Sequence, residues 1–151
     1  LLVATTARGV CFVALGDKQE ELEKELRHEF PAADAILHDE ERLVPAITCV
    51  LDFLKGEIPH PDLPLDIRFS AFQRRVWQEL LAIPPGETRS YAEIARSLGM
   101  PQAPRAIGRA CASNPVAMLI PCHRVTAKSG GLGGYRWGSE RKAKLLKHEA
   151  E

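Results

Sequence analysis

The sequence predicts a small α/β N-terminal domain at residues 1–66. A mostly α C-terminal domain with a helix-turn-helix follows at 67–151. Three observations predict this. The first is charge: residues 1–66 carry 6 basic and 14 acidic side chains, and residues 67–151 carry 14 basic and 6 acidic. The second is periodicity, which starts strand-like and then keeps a helical spacing. The third is a pair of helix-start signals, both in the basic part.

In the acidic half, Val10 to Leu15 is an unbroken apolar run stopped by Gly16-Asp17, as in a buried strand. Lys18 to His28 follows as a helix, with Leu22, Leu26 and Phe30 in one stripe and Pro31 after it. Glu40 to Lys55 is a second helix, striped by Leu43, Ile47, Val50 and Leu54, with Pro45 expected in or near its first turn. The proline-rich stretch Ile58 to Pro64 is a linker, and Leu65 to Phe69 alternates like a strand.

In the basic half, Ser70-Ala71-Phe72-Gln73 fits a capping box, with Phe72, Val76, Leu80 and Ile83 as the stripe behind it. Pro84-Pro85-Gly86 breaks that helix. Ser90-Tyr91-Ala92-Glu93 is a second capping box, opening a short helix stopped by Gly99. Arg105 to Ala112 is a further helix of small residues. Two helices joined by a tight Gly-containing turn suggest a helix-turn-helix. The small side chains suit close helix packing or a close approach to another surface equally well. Ser139 to Glu149 is a basic C-terminal helix.

The chain has 151 residues, enough to bury roughly 68–70% of its unfolded surface. It should need no disulfide or metal staple. Its formal net charge is zero, with 20 Lys+Arg against 20 Asp+Glu, which taken alone argues against a nucleic-acid partner. Sign asymmetry between halves argues the other way. No apolar run approaches the ~20 residues of a membrane span, and residues 1–6 do not form a secretory signal. Leu1 in place of an initiator Met leads to the expectation of part of something longer. Four cysteines, at 11, 49, 111 and 122, show no metal-ligand spacing and suggest a reducing compartment.

The chemistry concentrates in Asn114-Pro115-Val116-Ala117-Met118-Leu119-Ile120-Pro121-Cys122-His123-Arg124-Val125. Free cysteine is ordinarily a small buried hydrophobe. Cys122 is set apart by His123 and Arg124, since a thiol becomes a nucleophile beside a base or a positive charge. Adjacent side chains need not touch, so a relay water is plausible between them. The glycine-rich Gly130 to Gly138 allows close backbone approach to a ligand, without the Gly-Lys-Ser/Thr ending of a nucleotide-triphosphate loop. Glu149 alone would be taken for a solvated charge.

Ile120 to Val125, Asn114-Pro115 upstream and Leu145-Leu146-Lys147-His148-Glu149 downstream closely resemble the O6-alkylguanine-DNA alkyltransferases, the methylated-DNA–protein-cysteine methyltransferases. Gly86-Glu87-Thr88, Ser90-Tyr91 and Arg105-Ala106-Ile107-Gly108 match the same family in order and spacing. Phe30 to Asp34 and Gly134 to Gly138 are most similar to the C-terminal domain of bacterial bifunctional adaptive-response regulators. The resemblance is strong from Phe69 onward and weaker over residues 1–66, where it implies a ribonuclease H-like α/β domain, a small antiparallel sheet with helices.

The resemblance implies single-turnover, irreversible alkyl transfer from O6-alkylguanine, and O4-alkylthymine, in double-stranded DNA. The base is flipped out of the duplex and Cys122 is the nucleophile. His123 matches the family's base, acting through a water. Glu149 matches the carboxylate that orients His123, Asn114 the brace of the active-site turn, and Tyr91 the phenol donating toward guanine N3. The carbonyls of Cys122 and Val125 match acceptors for the exocyclic amine. The backbone N–H of Arg136 would face O6, with Tyr135 and Gly133 shaping the wall. DNA would be met through the minor groove by Ala103, Ala106, Gly108, Ser90 and Arg109, with Arg105 filling the gap left by the flipped base.

Arg109 stands where some members have a small residue, and Ala117 where some have a proline. The resemblance implies no metal, no cofactor, no membrane, a monomer, and a cytoplasmic location (nuclear in a eukaryote). The competing readings are a non-catalytic alkylated-DNA-binding module, which would lack Cys122, and an unrelated cysteine hydrolase.

Overall fold

A computed structural model describes residues 1–151 as an α/β protein with a small antiparallel sheet and six helices. Strands β1 (Leu2–Thr5) and β2 (Val10–Ala14) form an antiparallel hairpin in which Val3 faces Val13, with the register slipping between Ala4 and Thr5. Helices α1 (Gln19–Glu29) and α2 (Glu40–Leu54) complete the acidic half. Helix α3 (Ala71–Leu81), strand β3 (Arg89–Ser90), α4 (Tyr91–Ser97) and α5 (Pro104–Ala112) follow. A 3-10 turn at Cys122–Arg124 leads into β4 (Val125–Thr126), and α6 (Ser139–Ala150) ends the chain.

Strand β2 is buried at all five positions, which explains its unbroken apolar run. Both of its edges are used: β1 lies on one side, and on the other Val10 bridges Leu65 while Val13 bridges Val116. That second edge corrects the strand expected at Leu65 to Phe69. A parallel partner starting at Leu65 would have to continue beside Val13. There Val13 N–H instead donates to Pro115 (2.9 Å), and Ala117 N–H donates back to Val13 (3.0 Å). One bridge is therefore all the segment makes. β1 itself lacks any strong sequence signal and becomes a strand by pairing with β2.

The helices fall close to their expected bounds, and both capping boxes are formed. Ser70 accepts from Gln73 N–H at 3.1 Å and Ser90 from Glu93 N–H at 3.1 Å, each answered by the return bond. Gly99 closes α4 at φ +72°, where a side chain would be strained. Pro45 is corrected from the first turn to the sixth helical residue of α2. It is exposed, so the Glu41 carbonyl it leaves without a helical donor can face water. The buried stripe of α2 runs through Ala46, Val50 and Phe53, a rotation from the expected Leu43, Ile47 and Leu54, which are half-buried.

One contiguous apolar cluster takes in Phe12, Val13 and Val50 from the acidic half and Leu80, Ile94, Ile107 and Ile120 from the basic half. α4 and α5 pack against each other across the turn Leu98 to Ala103, and α3 packs on both. No helix is long and apolar enough to cross a membrane.

Candidate active site

Asn114 to Ile120 is wholly buried and folds as a compact turn anchored on β2 through the Val13–Val116 bridge. Within it Met118 has φ +69°, a conformation that non-glycine residues rarely adopt and that surrounding structure must impose. Asn114 supplies much of that constraint. Its Nδ2 donates to the Ile120 carbonyl (2.9 Å) and to Cys122 Sγ (3.2 Å), while its Oδ1 accepts from Val116 N–H (2.9 Å). The side chain thus ties both ends of the turn to the thiol.

Cys122 opens the 3-10 turn and is 3% exposed. Burial pushes its thiol up to about 11, against the opposing pull of the Asn114 hydrogen bond and the Lys142 charge. The group at neutral pH is therefore a thiol, and it becomes a nucleophile only on losing its proton. His123 is buried beside it. Its Nε2 is 2.8 Å from Glu149 Oε1, and its Nδ1 has no protein partner. Burial holds its protonation below the ordinary histidine range despite the hydrogen bond and charge of Glu149. A neutral imidazole with one nitrogen tied to a carboxylate and the other available is suited to accept a proton. Burial raises Glu149, but hydrogen bonds from His123 and Arg124 outweigh this and bring it down to about 2.

Arg124 completes the cluster around Glu149. It is 2% exposed, donates to both Glu149 oxygens (2.8–3.2 Å) and caps the Ile83 carbonyl at 2.8 Å. Glu149 is therefore shared by a histidine and a guanidinium, so its charge is matched within the site. Lys142 was not anticipated. It is fully buried, donates to the carbonyls of Val125 (2.5 Å) and Gly134 (3.0 Å), and lies 5.7 Å from the Tyr91 ring centre. A signal did exist: Lys142, Leu145 and Glu149 fall at i, i+3 and i+7, on the face that carries the carboxylate. Burial pulls the Lys142 ammonium down, opposed by the cysteines at 122 and 111.

Strand β3 pairs with β4, Arg89 against Val125 and Ser90 against Thr126, which sets Tyr91 beside the thiol loop. Tyr91 donates to the Gly134 carbonyl at 3.3 Å, and burial raises its phenol to about 12, so it stays a donor. Gly133 is required twice over: its φ is +72°, and a Cβ there would lie 2.8 Å from the Tyr91 ring. Tyr135 packs edge-on against Trp137 (5.4 Å) with its hydroxyl buried and without a partner. Cys122, His123, Glu149, Asn114, Tyr91, Val125, Gly133, Tyr135 and Arg136 are thus gathered around one locus.

Helix α5 borders it. Gly108 faces the Tyr91 ring, where a Cβ would stand 3.9 Å away. Ile107, Ala110 and Cys111 turn inward, leaving Arg105 and Arg109 exposed and Ala103 and Ala106 half-buried. The Ser90 hydroxyl is occupied by its capping box. No group of three or more His, Cys, Asp or Glu side chains is placed to hold a metal ion.

Residues 71–151 match the family model described as the DNA-binding domain of 6-O-methylguanine DNA methyltransferase. The regulatory protein ada of Salmonella typhimurium is 47% identical over 155 residues, covering 99% of this chain and 42% of that protein. The inducible methylated-DNA–protein-cysteine methyltransferase of Bacillus subtilis is 39% identical over 145 residues, covering 95% of this chain and 80% of that protein. The crystal structure of Mycobacterium tuberculosis OGT in complex with DNA aligns with a TM-score of 0.66 at 48% identity, over 70% of this chain and 65% of that one. The chain spans about two-fifths of the length of the Salmonella relative.

Proposed function

The chain belongs to the O6-methylguanine-DNA methyltransferase family, and on that premise we propose that it repairs DNA by moving an alkyl group from guanine O6 onto Cys122. The observation that carries this reading is the buried row Asn114–Cys122 and His123–Glu149, with Asn114 on the sulfur and His123 Nδ1 left available. His123 takes the thiol proton through a water, and Glu149, held in place by Arg124, stabilises the resulting imidazolium. The thiolate displaces guanine from the alkyl carbon: an S–C bond forms, the C–O6 bond breaks, and a thioether remains on the protein. Tyr91 donates toward guanine N3 as negative charge develops on the leaving base, and the proton lost by the thiol balances the one the base gains. No group in the site can reverse a thioether, so each chain acts once, with no cofactor.

The substrate is double-stranded DNA, entered from the minor groove by α5 acting as the second helix of a helix-turn-helix with α4. Small side chains at Ala103, Ala106 and Gly108 permit close approach. Arg105 replaces the flipped base in the stack, and Arg109 and the Ser90 region meet the backbone. Flipping brings the base past Gly108 and Tyr91 to the pocket walled by Gly133, Tyr135, the Arg136 N–H and the carbonyls of Cys122 and Val125. O4-alkylthymine presents a similar alkyl oxygen and is a second substrate. The 1–66 part is a reduced ribonuclease H-like domain and 67–151 the alkyltransferase domain. The protein works as a monomer in a bacterial cytoplasm, or in the nucleus of a eukaryote.

Incubation with a duplex containing O6-methylguanine, followed by mass spectrometry, tests the reading. The expected result is a gain of one methyl group mapped to Cys122, abolished in Cys122→Ser with duplex affinity retained. Binding without any mass gain would make the chain a non-catalytic reader of alkylated DNA.

A further inference from the structure

Arg136 has all three guanidinium nitrogens engaged, and its partners come from both the acidic and the basic half of the chain. Nε donates to Glu25 at 3.1 Å and Nη2 to Glu29 at 2.8 Å, both from α1. Nη1 donates to the Asn114 carbonyl at 3.2 Å. The guanidinium lies 5.5 Å from the Phe12 ring centre on β2 and 5.4 Å from that of Trp137. It is therefore fixed in the plane by hydrogen bonds and across it by aromatic rings.

Two features show that the acids answer the arginine. Glu25 and Glu29 fall at i and i+4, so both reach the same guanidinium from one face of α1. Glu29 is also the last residue of α1, where the helix dipole disfavours a negative charge. A basic partner from outside the helix offsets that cost. The arginine then bears on the reaction from two sides. Through Asn114 it braces the residue that touches Cys122 Sγ. Through its own backbone it holds the segment next to Gly134, whose carbonyl receives both Tyr91 and Lys142.

We propose that Glu25 and Glu29 are positioning residues for alkyl transfer: by clamping Arg136 they fix the wall segment 133–137 and the Asn114 turn relative to each other. The acidic half thereby sets the geometry of chemistry performed by the basic half. This inference rests on the alkyltransferase reading above.

The test is a mutant cycle on the single-turnover transfer rate at saturating O6-methylguanine duplex, well below each variant's melting midpoint. Duplex affinity is measured separately in a Cys122→Ser background. Glu25→Gln/Glu29→Gln should lower the rate about tenfold with duplex affinity unchanged, because a small misplacement of reacting groups is costly. Arg136→Ala, which keeps the backbone N–H, should lose a similar factor. The triple variant should be no slower than Arg136→Ala alone, since the acids act through the arginine. A solely structural ion pair would lower the melting midpoint and leave the rate untouched.

An unchanged rate in the double variant, or losses that multiply in the triple, overturns the inference. Should the double variant fail to fold, Glu25→Gln keeps the Glu29 contact and should show a smaller loss of the same kind, and an unchanged rate there overturns the inference. If the wild-type chain takes up no methyl group, the alkyltransferase reading falls and this inference falls with it. Transfer by wild type together with an unaffected double variant overturns the inference alone.

Discussion

Glu149 carries the heaviest electrostatic duty of any single residue. It is 2% exposed and accepts from both His123 and Arg124. Replacing it by Gln leaves Arg124 buried without its counter-charge, an expected cost of about 3–5 kcal/mol. Urea titration of Glu149→Gln measures this, and wild-type stability would contradict it. The same cluster sets an acid response. Glu149 is depressed from its ordinary 4.5 to about 2, so its contribution is fully present above 4.5 and is lost as pH falls toward 2. His123 is also depressed from 6.5, so its share begins to fall below pH 6.5 as the unfolded chain takes up a proton that the folded one resists. Stability should decline in two stages on acidification, the first from His60 and His123 and the second from Glu149, Glu93 and Asp66, and Glu149→Gln should weaken the lower stage. A flat profile between pH 6.5 and 2 would contradict both assignments. Residue identity was the most legible level in the sequence wherever a motif held it, as at Cys122, His123 and Glu149. Lys142 and Arg124 were less so, because their burial depends on which carbonyls the fold presents to them.

At the scale of elements, legibility followed local signals. The capping boxes at Ser70 and Ser90 are local hydrogen-bond codes, and both are formed as read. Strands are not local in this sense. β1 needs β2 to exist, and the expected strand at 65–69 is cut short because Pro115 to Ala117 already occupies the edge of β2. That competition bears on the candidate site: the edge β2 withholds from residues 67–69 is the one that anchors the turn from Asn114 to Ile120. Helix α5 borders the site through Gly108. Its exposed Arg105 lies three residues before Gly108, the point of approach to Tyr91. Arg105→Ala should slow repair of alkylated duplex far more than reaction with a free alkylated guanine base. Equal loss on both substrates would remove its role in base extrusion.

The whole molecule has no net charge, yet its halves differ in sign across residue 66. As a sum the zero argues against DNA, but the basic half coincides with residues 71–151, which match the DNA-binding family model. The logarithm of duplex affinity should fall linearly with the logarithm of salt, by about 0.9 for each phosphate neutralised. An affinity indifferent to salt would contradict this. The two halves are joined by more than the linker. Their apolar residues form one cluster, and Arg136 bridges α1 to the Asn114 turn. Composition carries the charge asymmetry and cannot carry these joins, since they depend on residues 107 and 111 positions apart.

On the proposed mechanism, Cys122 is consumed by the group it removes. The most direct measurement titrates a fixed amount of O6-methylguanine duplex with increasing protein and counts the guanines restored after the reaction has stopped. One guanine restored per chain, with a plateau that only fresh protein extends, is the expected result. Continued repair beyond one guanine per chain, or a plateau reached with Cys122 unmodified, would contradict it.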